Sequence, residues 1–162
     1  MRAVLKLLPV LVLLCAALGC SSSPFDGGEV DCEGDTCTCK PGPRCSGECL
    51  DEGCKLACAD GPDCDVRCGV GCELECSRLS SCEARCGANC RQRCSDASSC
   101  AFTVGPASEV SCQRVGNCDV TCTGTCRVDC QNTGTCDVTC QESGTTATVC
   151  PNGSTRVCGR SC

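Results

Sequence analysis

The chain has 162 residues and 28 of them are Cys, whereas His, Trp, Tyr and Ile are absent. Without His, neither Ser–His nor Cys–His catalysis can be assembled, and a formal net charge of −6 lacks the basic character of a nucleic-acid-binding protein. We therefore expect no enzyme, no cofactor and no nucleic-acid partner.

Residues 1–19 form a predicted signal peptide. Arg2 and Lys6 supply the charged start, residues 4–14 the apolar stretch, and residues 16–19 the small-residue end. The apolar stretch is shorter than the roughly 20 residues that a transmembrane helix needs. The leader therefore predicts export rather than a membrane span.

The leader ends in Ala17-Leu18-Gly19-Cys20, which resembles the lipobox of bacterial lipoproteins, with Ala17 where Leu is commoner. The resemblance covers the first 20 residues and implies that Cys20 is acylated and becomes the first mature residue. Ser21 after this Cys implies the outer membrane. We expect a protein lipid-anchored in the bacterial cell envelope, with the bilayer as partner through Cys20. A soluble secreted protein is the alternative.

The mature chain is poor in core-forming residues. Only 17 of its 143 residues are Leu, Val or Phe, about 12%, a level at which chains normally stay disordered. The 26 Cys after Cys20 are an even set, as a disulfide framework requires. Disulfides are therefore expected to replace the missing core.

The chain divides by composition into five parts. After the leader come a polar tether (20–31), an acidic Cys-rich part with a first degenerate repeat (32–63), regular repeats (64–140) and a Cys-rich cap (141–162). We interpret the acidic segment 26–65 as a solvated stalk.

The cysteines follow an 18-residue unit, C-x3-C-x3-C-x3-C-x5, which is clearest in Cys118–Cys130. Cys and Val alternate there with Asp, Thr and Arg, which is typical of a strand with one buried face, and Gly124 supplies a turn. A helix also puts such cysteines on one face, but Val, Thr and Gly disfavour it. We predict an all-β, disulfide-rich fold, either a flattened β-solenoid or a chain of disulfide-laddered hairpins.

Two further resemblances concern the repeat. Thr121-Cys122-Thr123 resembles the motif of beetle antifreeze proteins, although the period differs, and implies a disulfide-ribbed β-solenoid. The whole sequence resembles the cysteine-rich repeat lipoproteins common in myxobacterial genomes, whose function is mostly undefined.

One deviant unit suggests a disulfide pairing. The unit that starts at Cys100 and ends at Cys112 has Val104 and Ser108 in place of its second and third cysteines. Their joint loss favours nested pairing, first with fourth and second with third. The predicted pairs are Cys45–Cys58, Cys49–Cys54, Cys64–Cys76, Cys68–Cys72, Cys82–Cys94, Cys86–Cys90, Cys100–Cys112, Cys118–Cys130 and Cys122–Cys126.

Bridges between successive units are the alternative, because sequence alone does not fix connectivity. The remaining cysteines have no assigned partner, namely Cys32, Cys37, Cys39, Cys136, Cys140, Cys150, Cys158 and Cys162.

Two sequence patterns are compatible with a metal site. C-x3-C lies within zinc-ligand spacing, but thiols of an exported protein pair under oxidising conditions, so no metal is predicted and a thiolate metal-sequestration protein is the alternative. Asp65, Glu83, Asp119 and Asp137 share one unit position, interrupted by Ala101. We interpret this carboxylate column as a solvated strand face, with cation binding as the alternative.

The sequence therefore predicts a membrane-anchored envelope lipoprotein with a rigid repeat stalk, in a structural or adhesive role. An ice- or cation-binding solenoid is a further alternative, but its Thr array would be short, because Thr103, Thr121 and Thr139 align with Arg67 and Arg85.

Overall fold

The computed structural model describes residues 28–33, 36–39, 44–61, 63–142 and 145–162. Every regular element in these ranges is a β-strand. The strands are β1 (Gly28–Glu33), β2 (Thr36–Cys39), β3 (Cys45–Cys49), β4 (Lys55–Ala59), β5 (Asp63–Cys68), β6 (Glu73–Ser77), β7 (Ser81–Cys86), β8 (Arg91–Ser95), β9 (Ser99–Val104), β10 (Ser108–Gln113), β11 (Asn117–Cys122), β12 (Cys126–Gln131), β13 (Thr135–Cys140), β14 (Thr145–Thr146), β15 (Thr148–Val149) and β16 (Thr155–Cys158).

The strands wind into a β-solenoid. From β1 to β13, odd-numbered strands pair in parallel with odd neighbours and even-numbered strands with even neighbours, giving an odd sheet and an even sheet. One odd and one even strand make a coil, and the described chain contains six such coils followed by β13. The all-β, disulfide-rich prediction is confirmed. Of its two forms the solenoid is correct, because the strands from β3 to β13 pair between coils rather than as hairpins within them.

The coils stack in the 18-residue register that the cysteines indicate. Cys64 lies beside Cys82 in the odd sheet, and Cys76 lies beside Cys94 in the even sheet. Adjacent strands of a sheet are about 4.8 Å apart, so the six coils are stacked over about 30 Å.

The core is a thin layer between the two sheets. Burial alternates along each strand, so the cysteines and one central residue per strand point inward. The buried central residues are Val66, Ala84, Phe102, Val120 and Val138 in the odd sheet and Leu56, Leu74, Gln92, Val110 and Val128 in the even sheet. So few apolar side chains explain why the sequence is so poor in Leu and Phe.

The coil without inner cysteines replaces its bridge by apolar packing. Phe102, Val104 and Val110 are at most 3% exposed. Ser108, which stands where the third cysteine would be, is fully buried, and its hydroxyl accepts a hydrogen bond from the backbone N–H of Cys90 at 3.1 Å. This coil therefore keeps the geometry of its neighbours without the bridge.

The two ends of the solenoid differ. At the first coil β1 pairs antiparallel with β2, which joins the odd and even sheets. At the other end β14 covers β13, and β16 covers β12, again with antiparallel pairing. The outermost strands, β14 and β15, have two residues each, so little unpaired edge is presented for aggregation.

The acidic N-terminal segment is part of this fold. Residues 28–33 and 36–39 form the first coil, and β3 and β4 form the second. The prediction of a solvated stalk over 26–65 is therefore wrong for the described residues of this segment, because they pair in register with the later coils. Cys20 and the leader lie outside the described residues.

Disulfides cross corners of both kinds, the short corner within a coil and the five-residue corner between coils, except the short corner at 105–107. Four inner pairs agree with the prediction, because a short corner brings the ends of its two strands together: Cys49–Cys54, Cys68–Cys72, Cys86–Cys90 and Cys122–Cys126. Their Cα atoms are 5.9–6.4 Å apart.

The predicted outer pairs are wrong, namely Cys45–Cys58, Cys64–Cys76, Cys82–Cys94, Cys100–Cys112 and Cys118–Cys130. The fourth cysteine of a coil instead bonds the first of the next, giving Cys58–Cys64, Cys76–Cys82, Cys94–Cys100, Cys112–Cys118 and Cys130–Cys136. The reason is the five-residue corner between these cysteines, which brings their Cα atoms to 6.4–6.6 Å, within bonding range. These bridges join successive coils.

The other cysteines close the ends. The bridge Cys39–Cys45 joins the first two coils, and Cys140–Cys158 and Cys150–Cys162 hold the C-terminal strands. Cys37 is also disulfide-bonded. Every cysteine from Cys37 to Cys162 is therefore oxidised in this structure.

Candidate functional site

The exposed face of the odd sheet carries the carboxylate column. Asp65 lies beside Glu83, Ala101 interrupts the column, and Asp119 lies beside Asp137. The four carboxylates are on exposed positions. The alignment that the sequence predicted is thus present, and stacking puts neighbouring carboxylates about 4.8 Å apart along the sheet.

The carboxylates of this column differ in their partners. Arg85 lies 3.7 Å from Glu83, but Arg67 pairs with Glu48 at 3.2 Å. Among the described residues, no basic group lies within 4 Å of Asp65, Asp119 or Asp137. The odd face therefore keeps uncompensated negative charge.

Hydroxyl and amide groups surround the C-terminal part of this face. Thr103, Thr121 and Thr139 are in register, which makes the array three residues long, as the sequence indicated. The side-chain amide of Asn117 donates to Asp119 at 2.6 Å, and the Thr135 hydroxyl donates to Asn117. This part of the face offers both carboxylates and hydroxyls to a partner.

The exposed face of the even sheet carries a different column. Charge alternates from coil to coil through Lys55, Glu73, Arg91, Glu109 and Arg127. Arg91 lies 3.7 Å from Glu73 and 3.6 Å from Glu109, and Lys55 lies 3.9 Å from Glu73. Exposed pairs of this kind are worth little singly, but each one favours this register over a slipped one.

The even face has two shallow depressions. The larger, of about 500 Å³, is lined by Arg93, Arg127, Glu109 and Asp129 among others, and the smaller, of about 240 Å³, by Lys55 and neighbours. The wall of the larger depression is mainly polar and mixes both signs of charge, so it lacks the apolar lining of a small-molecule site. The smaller depression adds Leu56, Ala57 and Leu74 to its charged rim but is small and shallow.

The five-residue corners carry a third column, with Asp60, Arg78, Asp96 and Arg114 in successive coils. Arg78 donates to both oxygens of Asp60, at 2.5 and 2.8 Å. Arg114 holds Asp96 in the same way, at 2.6 and 2.7 Å. Hydrogen bonds from Arg78 lower the pKa of Asp60, and those from Arg114 lower the pKa of Asp96.

The sequence contains a signal for both alternating columns, and this signal is independent of the cysteines. Residues 60, 78, 96 and 114 are Asp, Arg, Asp and Arg, and residues 55, 73, 91, 109 and 127 are Lys, Glu, Arg, Glu and Arg, always one 18-residue unit apart. A 36-residue charge period lies over the 18-residue cysteine period. It indicates ion pairs between stacked coils.

The fold and these faces define a disulfide-rich β-solenoid repeat protein. Within the part of the chain that the structure describes, no helix is long and apolar enough to span a membrane. Comparisons with protein-family models, with curated proteins and with solved structures found no match.

Proposed function

We propose that this chain is a lipid-anchored cell-envelope protein with a structural or adhesive role and no catalysis. The observation that carries the proposal is the rigid, disulfide-bridged solenoid placed directly behind a lipobox-like leader. The first strand begins at Gly28, eight residues after Cys20. An acyl chain on Cys20 would therefore attach close to the first coil and leave the other coils to extend outward.

The bridges support a role in an exposed envelope. Each corner with two cysteines is closed by a disulfide, so one cut in a bridged corner releases no fragment. Such a molecule resists proteolysis because local opening is confined by covalent links on both sides. The solenoid would form a rigid, protease-resistant rod about 30 Å long.

An adhesive role assigns contact to the odd face. Its column keeps uncompensated carboxylates beside Thr hydroxyls, whereas even-face charges pair with each other. A cationic or hydroxyl-rich surface is the partner that this chemistry suits.

The Asp119→Asn, Asp137→Asn double variant should reduce cell adhesion several-fold, whereas Asp129→Asn on the even face should not. Equal adhesion of all three proteins would contradict the assignment.

Detergent-phase partition tests the anchor. The full chain, leader included, should enter the detergent phase of a cloud-point extraction, and its N-terminal peptide should carry acyl mass on Cys20. Cys20→Ser should move the protein to the aqueous phase. Cys15→Ser removes a leader cysteine five residues away and should leave partition unchanged. A wild-type chain found in the aqueous phase would contradict the proposal.

A further inference from the structure

Four sulfur atoms meet at the N-terminal end of the solenoid. The Sγ atoms of Cys39, Cys45, Cys58 and Cys64 all lie within 4.8 Å of one another. They belong to two adjacent bridges, Cys39–Cys45 and Cys58–Cys64, and Cys39 Sγ is only 3.1 Å from Cys58 Sγ of the other bridge. Groups elsewhere, such as Cys118, Cys130 and Cys136, bring three sulfurs together.

The spacing of this group, which we call the four-sulfur cluster, suits a tetrahedral thiolate site. A zinc–sulfur bond of about 2.3 Å puts the four ligands about 3.8 Å apart. Opening the two bridges lets the bonded sulfurs separate to that distance. Cys39 Sγ and Cys58 Sγ move apart from 3.1 Å, and the remaining pairs, at most 4.8 Å apart, close in by up to about 1 Å. Four thiolates in this arrangement select soft ions such as zinc and cadmium.

We propose that the four-sulfur cluster is a redox-gated metal site, which binds one zinc or cadmium ion once a dithiol has reduced its two bridges. The oxidised sulfurs are not thiolates and hold no ion. The site thus adds a metal-binding state to a protein whose bridges otherwise serve the fold.

The geometry also supplies a route to the buried bridge. Cys39 is partly buried, whereas Cys58 and Cys64 are 1% and 2% exposed, so a dithiol reaches Cys39–Cys45 first. One dithiol thiolate attacks Cys39 Sγ and Cys45 leaves as a thiolate. The second dithiol sulfur then closes a cyclic disulfide and releases Cys39 as a thiolate.

The released Cys39 thiolate then opens the buried Cys58–Cys64 bridge by thiol–disulfide exchange. It attacks Cys58 Sγ, 3.1 Å away, so that a Cys39–Cys58 bond forms, the Cys58–Cys64 bond breaks and the electron pair goes to Cys64. A second dithiol reduces Cys39–Cys58. Two dithiols thereby deliver four electrons, and the four cysteine thiols give up their protons when the ion binds.

Limited reduction of the mature chain tests the site. The native protein is treated with dithiothreitol until Cys39, Cys45, Cys58 and Cys64 can be alkylated, and cadmium is then added. The Cys150–Cys162 bridge has an exposed end at Cys162 and opens under the same treatment, but it supplies only two sulfurs. We expect one cadmium per chain by native mass spectrometry, thiolate-to-cadmium absorption in the ultraviolet, and alkylation of the four cluster cysteines that cadmium blocks. Cadmium protection of other cysteines in their place, or cluster alkylation unaffected by cadmium, would overturn the proposal.

A pair of variants separates this site from the general cysteine content. Cys39→Ser with Cys45→Ser leaves two sulfurs in the cluster and should weaken cadmium binding about 100-fold or more. Cys130→Ser with Cys136→Ser removes one equivalent bridge far from the cluster and should leave binding unchanged. An equal loss of cadmium affinity in both double variants would overturn the assignment. If a variant does not fold, the cysteines that cadmium protects from alkylation in the wild-type protein identify the site.

Discussion

At the scale of single residues, Gln92 is the feature least consistent with the core. Its side chain is fully buried between the sheets, and neither amide atom has a hydrogen-bond partner among the residues that the structure describes. Leu74 and Val110 occupy the same position in the coils on either side. Ala84, smaller than the equivalent Val66, leaves room in this coil for the amide.

Gln92→Leu should therefore stabilise the protein. Removing two unpaired polar atoms and filling the same volume with apolar atoms should raise the free energy of unfolding by about 1–3 kcal/mol. Denaturant unfolding with the bridges intact, followed by circular dichroism, measures the change. Leu74→Gln, the reverse change one coil earlier, should lower stability. A lower stability for Gln92→Leu would mean that the amide is satisfied in solution.

At the scale of elements, the corners explain both the turns and the bridges. The five-residue corner has a left-handed residue at the same position in each coil, with φ of 57° at Asp60, 54° at Arg78 and 54° at Asp96. The N–H of each bonds a carbonyl of the next coil, as from Arg78 to Ser95. The sheet ladder therefore continues around the corner, which fixes the coil length.

Stacking at the three-residue corner of residues 105–107 requires Gly at position 105. A Cβ on Gly105 would lie 2.5 Å from the carbonyl oxygen of Gly87 in the coil before. Gly105→Ala should therefore push two coils apart and lower the free energy of unfolding by about 1–3 kcal/mol. Gly61→Ala is a matched control, because its Cβ would meet Leu79 at 3.8 Å and the Ala59 carbonyl oxygen at 4.0 Å, both ordinary contacts. Equal effects of the two changes in thermal unfolding would contradict this packing.

The corner ion pairs predict a pH dependence. Arg78 lowers the pKa of Asp60, so the stability from this pair is present above the ordinary Asp pKa and is lost as the pH falls through the lowered value. An NMR titration should place the Asp60 pKa below the ordinary Asp value. Arg78→Gln should raise it, and Arg114→Gln, one corner pair away, should leave it low. If Arg78→Gln left the pKa of Asp60 unchanged, the ion pair between Asp60 and Arg78 would be absent in solution.

At the scale of the whole molecule, the sequence predicts the repeat more fully than the links between repeats. The 18-residue period, the strands and the buried Val of Cys118–Cys130 follow from spacing alone, because side chains alternate along a strand. The outer bridges do not. Keeping both Cys100 and Cys112 when the inner pair is lost fits bonds to neighbouring coils as well as a bond to each other.

Of the candidate sites, one can be predicted from the sequence and one cannot. The carboxylate column follows from equal unit positions, since stacking puts them in one line. The four-sulfur cluster does not, because it joins two corners separated by 13 residues, at Cys45 and Cys58, and depends on how the first coil sits on the second. Contacts between coils are set by packing that a period alone does not specify.

Disulfide mapping tests the bridged solenoid most directly. The tryptic peptide 79–85 contains one cysteine, Cys82, so its partner in a nonreduced digest identifies the connectivity. With thiols blocked and the digest kept mildly acidic, peptide 79–85 should be linked to peptide 68–78 through Cys76. Linkage of peptide 79–85 to the peptide that begins at Cys94 would contradict bridges between successive coils.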